Sequence, residues 1–366
     1  MHATNFSCLF TILIYTISIL SNKNIVTLKK LAKELGVSIS TVSRALGDHP
    51  DISKETKERV NEVAKRLNYI PNFFAKGFRA HKSFIIGVIV PDISHYFTST
   101  LIKGIMQEAE LNGYKVIVSE SRNNELKQAE ILQTMNQFGV DGILISLSKT
   151  TTNFDSIINT MRLRPLVLFD KVSTKVPCTQ VIIDDEDAAF RIVEHLIQTG
   201  KKKIAIIKEI ENSFNSEMRY LGYLRALKTY KIEVNESNIL SSEDISMHQG
   251  KRLTNILISM KNRPDAIFAI TDLAAIGVIK MLNNNNIRIP EEIAVAGFSN
   301  HLASIIIEPK LTTVDQPGHK IGEVAVNYLL QEINNDSNIS KKTIEIKTNL
   351  IVRDSTFKSS LSKSSN

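Results

Sequence analysis

Residues 27–46 read TLKKLAKELGVSISTVSRAL, two short amphipathic runs joined at Gly36. In the first run, Leu28, Leu31, Ala32 and Leu35 recur at the one-face spacing of an α-helix. Gly36 supplies the backbone freedom that a tight turn requires. Ser38 stands where it can cap a second helix, whose Val42, Ala45 and Leu46 face the first. The remaining positions of that helix, Ile39, Ser40, Thr41, Ser43 and Arg44, are small, hydroxylated or cationic, where a surface helix normally carries more charge. Such a face suits a helix that enters a DNA groove and offers hydrogen bonds there. An ordinary helical hairpin is the competing reading, and this stretch alone leaves it open.

Working outward, Ser53 is a cap for a third helix, with Thr56, Val60, Val63, Ala64 and Leu67 on one stripe. Pro71 forces Ile70 out of helical geometry and ends it. The next segment, NFFAKGFRAHK (72–82), is basic and too short for a domain, and reads as a connector. Charge supports the partition. Between Lys23 and Lys82 stand 13 basic and 6 acidic residues, which accounts for the whole formal excess of +7 in the chain. A cationic head on a neutral body points to a polyanionic partner for the head.

The chain of 366 residues is too long for one ordinary core. From Phe84 its texture becomes β-α alternation. Apolar strand runs at 84–90, 115–119, 142–146 and 166–169 alternate with helices at 97–112 and 125–137. A second series has strands at 180–184, 203–207, 266–270 and 293–297, with helices at 187–199, 217–229 and 273–282. Continuous apolar strands between helices predict parallel sheets covered on both faces. Two such series predict two doubly wound subdomains, with a ligand cleft where the carboxyl ends of the strands meet.

Cys8 and Cys178 stand alone, without CxxC or Cys/His spacing, which argues against a disulfide scaffold or a zinc site and fits a reducing cytoplasm. The run FSCLFTILIYTISIL (6–20) is shorter than the ~20 residues of a membrane span. No Lys or Arg precedes it, as a signal peptide requires, and no small-residue cleavage site follows. The preferred reading is a start assigned too far upstream, with a membrane anchor or an unexplained extension as alternatives. The expected organisation is an apolar extension at 1–24, a DNA-binding head at 25–70, a hinge at 71–83, a two-subdomain body at 84–357 and a disordered tail at 358–366. His195 reads as a structural helix residue, and the acids Asp184, Asp185, Glu186 and Asp187 as residues favoured by a helix N-terminus. No GxSxG, P-loop or GxGxxG is present, so nothing supports an enzyme, and no cofactor or metal is expected.

Several motifs occur in one order: VTLKKLAKELGVSISTVSRAL (26–46), ISKETKERVNEVAKRLNYIPN (52–72), IGVIVPDISHYF (86–97), EHLIQTGKKKIAII (194–207), RYLGY (219–223), IPEEIAVAGFSN (289–300), LTTVDQP (311–317) and LIVRDST (350–356). In this combination, from about Val26 to Thr356, the chain resembles a LacI/GalR-family transcription regulator. The resemblance implies a body of periplasmic-binding-protein type and a homodimer whose three-helix heads bind a near-palindromic operator in double-stranded DNA. Operator affinity would be controlled by a small-molecule effector, a sugar or sugar derivative, most simply as repression in the cytoplasm.

Residues 38–46 would be the recognition helix. Ile39 and Ser40 fall where family members read different bases, and Arg44 where they reach a guanine edge. An Arg fork carries ~1–3 kcal/mol of base discrimination. Thr27, Ser38, Thr41 and Ser43 are read as phosphate or capping contacts. Asn72, Ala75 and Phe78 would be hinge contacts, with Phe78 replacing the usual minor-groove leucine as the wedge. Effector positions implied by the resemblance are Asp92, Tyr96, Phe97, Asp170, Arg219, Asp272, Phe298 and Ser299. For Asp272 a helix cap, and for Phe298 a core position, are the competing readings. Thr271 and Ser299 depart from the family's amide and acidic residue, which leaves an amino sugar, a sugar phosphate or a nucleoside-like ligand open. The alternative class is an extracytoplasmic solute-binding protein, against which the basic head counts.

Overall fold

The computed structural model describes residues 26–69, 82–210, 213–334 and 341–357. The extension at 1–24, Cys8, the hinge positions Asn72, Ala75 and Phe78, and the tail at 358–366 lie outside the described residues. Between residues 81 and 82 the chain divides into two compact units.

In the first unit, α1 (Leu28–Leu35), α2 (Ile39–Leu46) and α3 (Lys54–Arg66) enclose a small core of Leu31, Ala32, Leu35, Val42, Ala45, Val60 and Ala64. Thr27, Ser38 and Ser53 cap the three helices, each accepting from an amide three residues on. Gly36 ends α1 at φ 66°, a left-handed conformation that a β-carbon disfavours, so the α1–α2 turn is written in one residue. Arg59 also reaches back to cap α1, donating from Nη2 to the Leu35 carbonyl at 3.0 Å.

The second unit begins with β1 (Ile85–Val90), α4 (Tyr96–Leu111), β2 (Lys115–Glu120), α5 (Glu125–Gln137), β3 (Gly142–Ile145), α6 (Asp155–Leu163), β4 (Leu166–Phe169) and β5 (Thr179–Ile183). There follow α7 (Asp185–Gln198), β6 (Ile204–Glu209), α8 (Phe214–Thr229), β7 (Ile239–Ser242), α9 (Met247–Ile258), β8 (Ala266–Ala269), α10 (Asp272–Asn284), β9 (Ala294–Ala296) and β10 (Thr313–Asp315). The chain then returns through α11 (Gly318–Ile333), β11 (Thr343–Ile346) and β12 (Asn349–Ile351).

Two parallel sheets result, ordered β11-β5-β4-β3-β1-β2 and β7-β6-β8-β9, with β10 and β12 paired antiparallel. Alternation along each strand explains why the runs are apolar throughout. Ile86, Val88 and Val90 of β1 join the core under α4 and α11, while Ile85 and Ile89 join the opposite core with Leu132 and Met135 of α5. The second sheet divides likewise: Ile204 and Ile206 face α7 and α8, and Ala205 and Ile207 face α9 and α10. Helices α7 and α8 approach closely because Gly222 has no side chain; a β-carbon there would lie 2.2 Å from the Glu186 carbonyl oxygen.

One assignment needs correction. The strand expected to open the second series belongs to the first sheet, where β5 runs parallel between β4 and β11. Apolar alternation marks a strand as buried but does not say which sheet it joins. The chain crosses between subdomains after β5, after β10, and between β11 and β12. Asp184, on the first crossing, accepts from the Thr348 amide at 2.9 Å and its hydroxyl at 2.7 Å on the third.

Candidate DNA-contacting helix and effector cleft

On α2 the inward stripe of Val42 and Ala45 leaves Ser38, Ile39, Ser40 and Arg44 exposed, with Thr41 and Ser43 half-buried. The Ser38 hydroxyl accepts from the Thr41 amide at 3.0 Å and pairs with the hydroxyls of Ser40 at 2.7 Å and Thr41 at 2.8 Å. That saturates one donor and two acceptor sites, so Ser38 orients its neighbours while Ser40 and Thr41 keep hydrogen-bonding capacity. Of the two roles expected for Thr27 and Ser38, capping is the one they perform within the protein. Ile39 is 48% exposed on this face, free to make an apolar contact with a partner. Arg44 forms no ion pair among the described residues.

In the body, the carboxyl ends of both sheets bring together Asp170 after β4, Asp185 at the start of α7, and Asn215 and Arg219 on α8. Asn215 donates from Nδ2 to Asp170 at 3.2 Å and to Asp185 at 3.1 Å. Two carboxylate acceptors fix the orientation of its amide, and its buried Oδ1 has no partner among the described residues. Arg219 donates from Nε to Asp185 at 2.8 Å and from Nη1 to the Ile270 carbonyl at 2.7 Å, with its guanidinium 3.6 Å from the centre of the Phe298 ring. Burial pushes the Asp185 carboxyl up to about 6, against the pull of the Arg219 charge. Burial likewise raises Asp170, which holds a left-handed backbone at φ 60° and accepts from Ser146 at 3.3 Å.

The other expected effector residues divide. Tyr96 packs edge-on against His301 at 5.4 Å, joining the two subdomains. Phe97 follows it in the first turn of α4, half-buried. Asp92 binds its own loop, accepting from the Ser94 amide at 2.7 Å and hydroxyl at 2.6 Å. Asp272 is 1% exposed and does not cap α10; Thr271 does. Its oxygens accept from the Thr313 hydroxyl and the His301 amide, both at 2.6 Å, and burial pushes its carboxyl up to about 6. Phe298, 0% exposed, is the floor beneath Arg219, and Ser299 (φ 116°) donates its amide to the Val314 carbonyl at 3.0 Å. Asp272 and Phe298 therefore stand behind the cleft wall, positioning what lines it.

Asp185 and Asn215 were missed. A helix-dipole reading covers why acids crowd the start of α7 but not what each one does. Asp184 ties two crossings, Asp185 holds Arg219, and Glu186 and Asp187 pair with Arg225 at 2.9 and 2.6 Å. The only hint available was that Asn215 lies four residues before Arg219, on one face of a helix. His195 is structural as expected, its Nε2 2.8 Å from the Thr356 hydroxyl.

A helix-turn-helix unit followed by a two-lobed α/β body with a polar cleft defines a DNA-binding regulator with an effector-binding domain. Two family descriptions match, one to the head and one to the body. "Bacterial regulatory proteins, lacI family" matches residues 27–72, and "Periplasmic binding proteins and sugar binding domain of LacI family" matches 83–354. The NTD biosynthesis operon regulator NtdR of Bacillus subtilis strain 168 is 33% identical over 330 residues, 90% of this chain and 99% of the relative. Catabolite control protein A of Priestia megaterium is 32% identical, again over 90% of this chain and 99% of the relative. The lac repressor dimer bound to operator and the anti-inducer ONPF superposes with a TM-score of 0.82 at 26% identity, covering 91% of this chain and 99% of that one. The chain belongs to the LacI family of bacterial transcriptional regulators. These relatives are regulators of transcription, and they favour that reading over a solute-binding protein. No helix among the described residues is long and apolar enough to cross a membrane.

Proposed function

We propose that the protein is a homodimeric, non-catalytic repressor that binds a near-palindromic operator in the cytoplasm and senses a carbohydrate-related effector between its two subdomains. The observation that carries the effector half is the bond from Asn215 to Asp170, which joins the lobes through residues at the cleft itself. Lys149 adds a second tie across the opening, donating to the Glu243 carbonyl at 2.6 Å and standing 3.8 Å from Glu209. An effector that competes for these few polar atoms biases the angle between the lobes. Linkage then requires that operator and effector alter each other's affinity by the same factor.

For the DNA half, Ile39, Ser40 and Arg44 read bases, Thr41 and Ser43 set the helix against the phosphates, and Thr27 and Ser38 cap the helices that present them. Asn72, Ala75 and Phe78 keep their hinge role on the family resemblance alone. Asp92, Tyr96, Phe97, Asp170, Arg219 and Ser299 line the effector cleft, supported by Asp272 and Phe298.

The test is a selection from random duplex DNA with the purified protein, followed by salt titration of the winners. A symmetric site is expected, with affinity falling steeply as salt rises. Arg44→Ala should lose about 1–3 kcal/mol of discrimination at one symmetry-related base pair. Enrichment of no symmetric site, with or without a metabolite pool, counts against an operator-binding dimer.

A further inference from the structure

Beside the Arg219 cluster lies a cavity of about 360 Å3 that the expected effector residues do not line. Its walls come from the ends of β3 and β4 in one lobe and from the first turn of α8 in the other. Lys149, Lys171 and Lys175 are among its lining residues, with Ser148, Thr151 and Ser213. Its one acid, Glu217, is already paired with Lys208 at 2.8 Å. Lys171 and Lys175 form no salt bridge among the described residues; Lys175 lies 5.8 Å over the Phe154 ring, on the same wall. The N-cap of α8, Ser213, makes no side-chain cap bond, so the positive end of a sixteen-residue helix adds to the field.

The cavity is continuous in sequence with the cleft on both sides: Lys171 follows Asp170, and Met218 on its wall precedes Arg219. We propose that it is an anion subsite, and that the effector is a phosphorylated sugar. This rests on the effector reading of the cleft. The hydroxylated ring lies toward Asp170, Asn215 and Arg219, whose carboxylate, amide and fork bond hydroxyls. The phosphoryl group lies among the lysines, where ammonium groups act as point charges on its oxygens. A neutral sugar brings no charge to these lysines, so the phosphate supplies affinity and selectivity together. It also draws Lys149 from its tie to Glu243, which couples occupancy to the opening of the lobes.

The test measures thermal shift and titration calorimetry of the full chain with hexose 6-phosphates, the parent hexoses, hexuronic acids and inorganic phosphate. It is run on the wild type, on Lys171→Met/Lys175→Met and on Asp170→Asn. Phosphorylated sugars should bind at concentrations where their parents do not, weakening as salt rises. The double lysine variant should weaken them by about tenfold or more, while keeping its melting temperature and operator binding. Parent hexoses or hexuronic acids binding as tightly as the phosphates overturns the proposal, as does a double variant that binds like wild type. Absence of any lysine-dependent shift with the phosphates also overturns it. Asp170→Asn separates the two layers. If it weakens sugar binding while the lysine pair changes nothing, the cleft reading survives and the anion subsite falls. If phosphate binding depends on the lysines but no sugar responds to Asp170→Asn, the cleft reading falls instead.

Discussion

On the outer face of α2, Ile39, Ser40 and Arg44 stand in solvent with few internal commitments, whereas in the body Asp170, Asp185, Asn215 and Arg219 commit most of their polar atoms to one another. On the proposed reading, the first surface meets a DNA groove that already has a shape, so free donors on a capped helix suffice. The second must exist without its ligand, and buried charges left unpaired cost several kcal/mol each. It therefore holds itself together with the same atoms that a ligand would use. A cleft built this way converts binding into rearrangement, because a guest exchanges partners where a groove-reading helix only gains them.

The largest effect is expected at Arg219. Replacing it with Met keeps an unbranched stem, two atoms shorter, and leaves Asp185 without its charge partner, and unfolding of the body should require about 3–5 kcal/mol less in denaturant titration. A loss near zero would mean that the Arg219–Asp185 pair is not the structural tie described here. For the head, Ser38→Ala removes a cap and two hydroxyl contacts; chemical denaturation of the head should register about 1 kcal/mol. Operator affinity should fall more than stability does, since Ser40 and Thr41 lose the hydroxyl that orients them. Equal losses would mean that Ser38 only caps.

The smallest effect is a pH profile. Burial lowers the His195 pKa from its usual 6.5, so the unfolded chain takes up a proton that the folded ring resists. Below pH 6.5, stability is therefore lost as pH falls toward the depressed value. His195→Gln keeps a partner for Thr356 and should be nearly neutral at pH 7.5, while the wild type loses ground to it on acidification to pH 5. Parallel melting curves across that range would show that the ring is not held neutral.

Much of the fold could be read from the chain because it is periodic and local. The helix pair at 28–46, its caps, and most strands from 85 to 296 were placed to within a few residues. Helix α11 is also legible in principle, since Ile321, Ala325, Leu329 and Ile333 repeat on one face. Strands β10, β11 and β12 are three or four residues long, and β11 is not apolar throughout, which leaves periodicity too little to work on. At the candidate site, the family resemblance points to Arg219 and Asp170, whereas no motif in the chain singles out Asp185 or Asn215. Asp185 sits in a run of four acids that look alike in one dimension and face different partners in three.

What repeats along the chain is legible in one dimension: the amphipathic faces, the caps at Thr27, Ser38 and Ser53, the left-handed turn at Gly36, and the cationic head before a neutral body. Helical and strand periods are set by local backbone geometry, so they survive in a linear reading. The tertiary structure alone decided which sheet β5 joins, that Asp184 clasps Thr348, that Asp185 and Arg219 pair over Phe298, and that Lys149, Lys171 and Lys175 surround one cavity. Those arrangements join residues tens to hundreds of positions apart. A charge's partner is chosen by the packing that excludes water around it, and no local pattern encodes that choice.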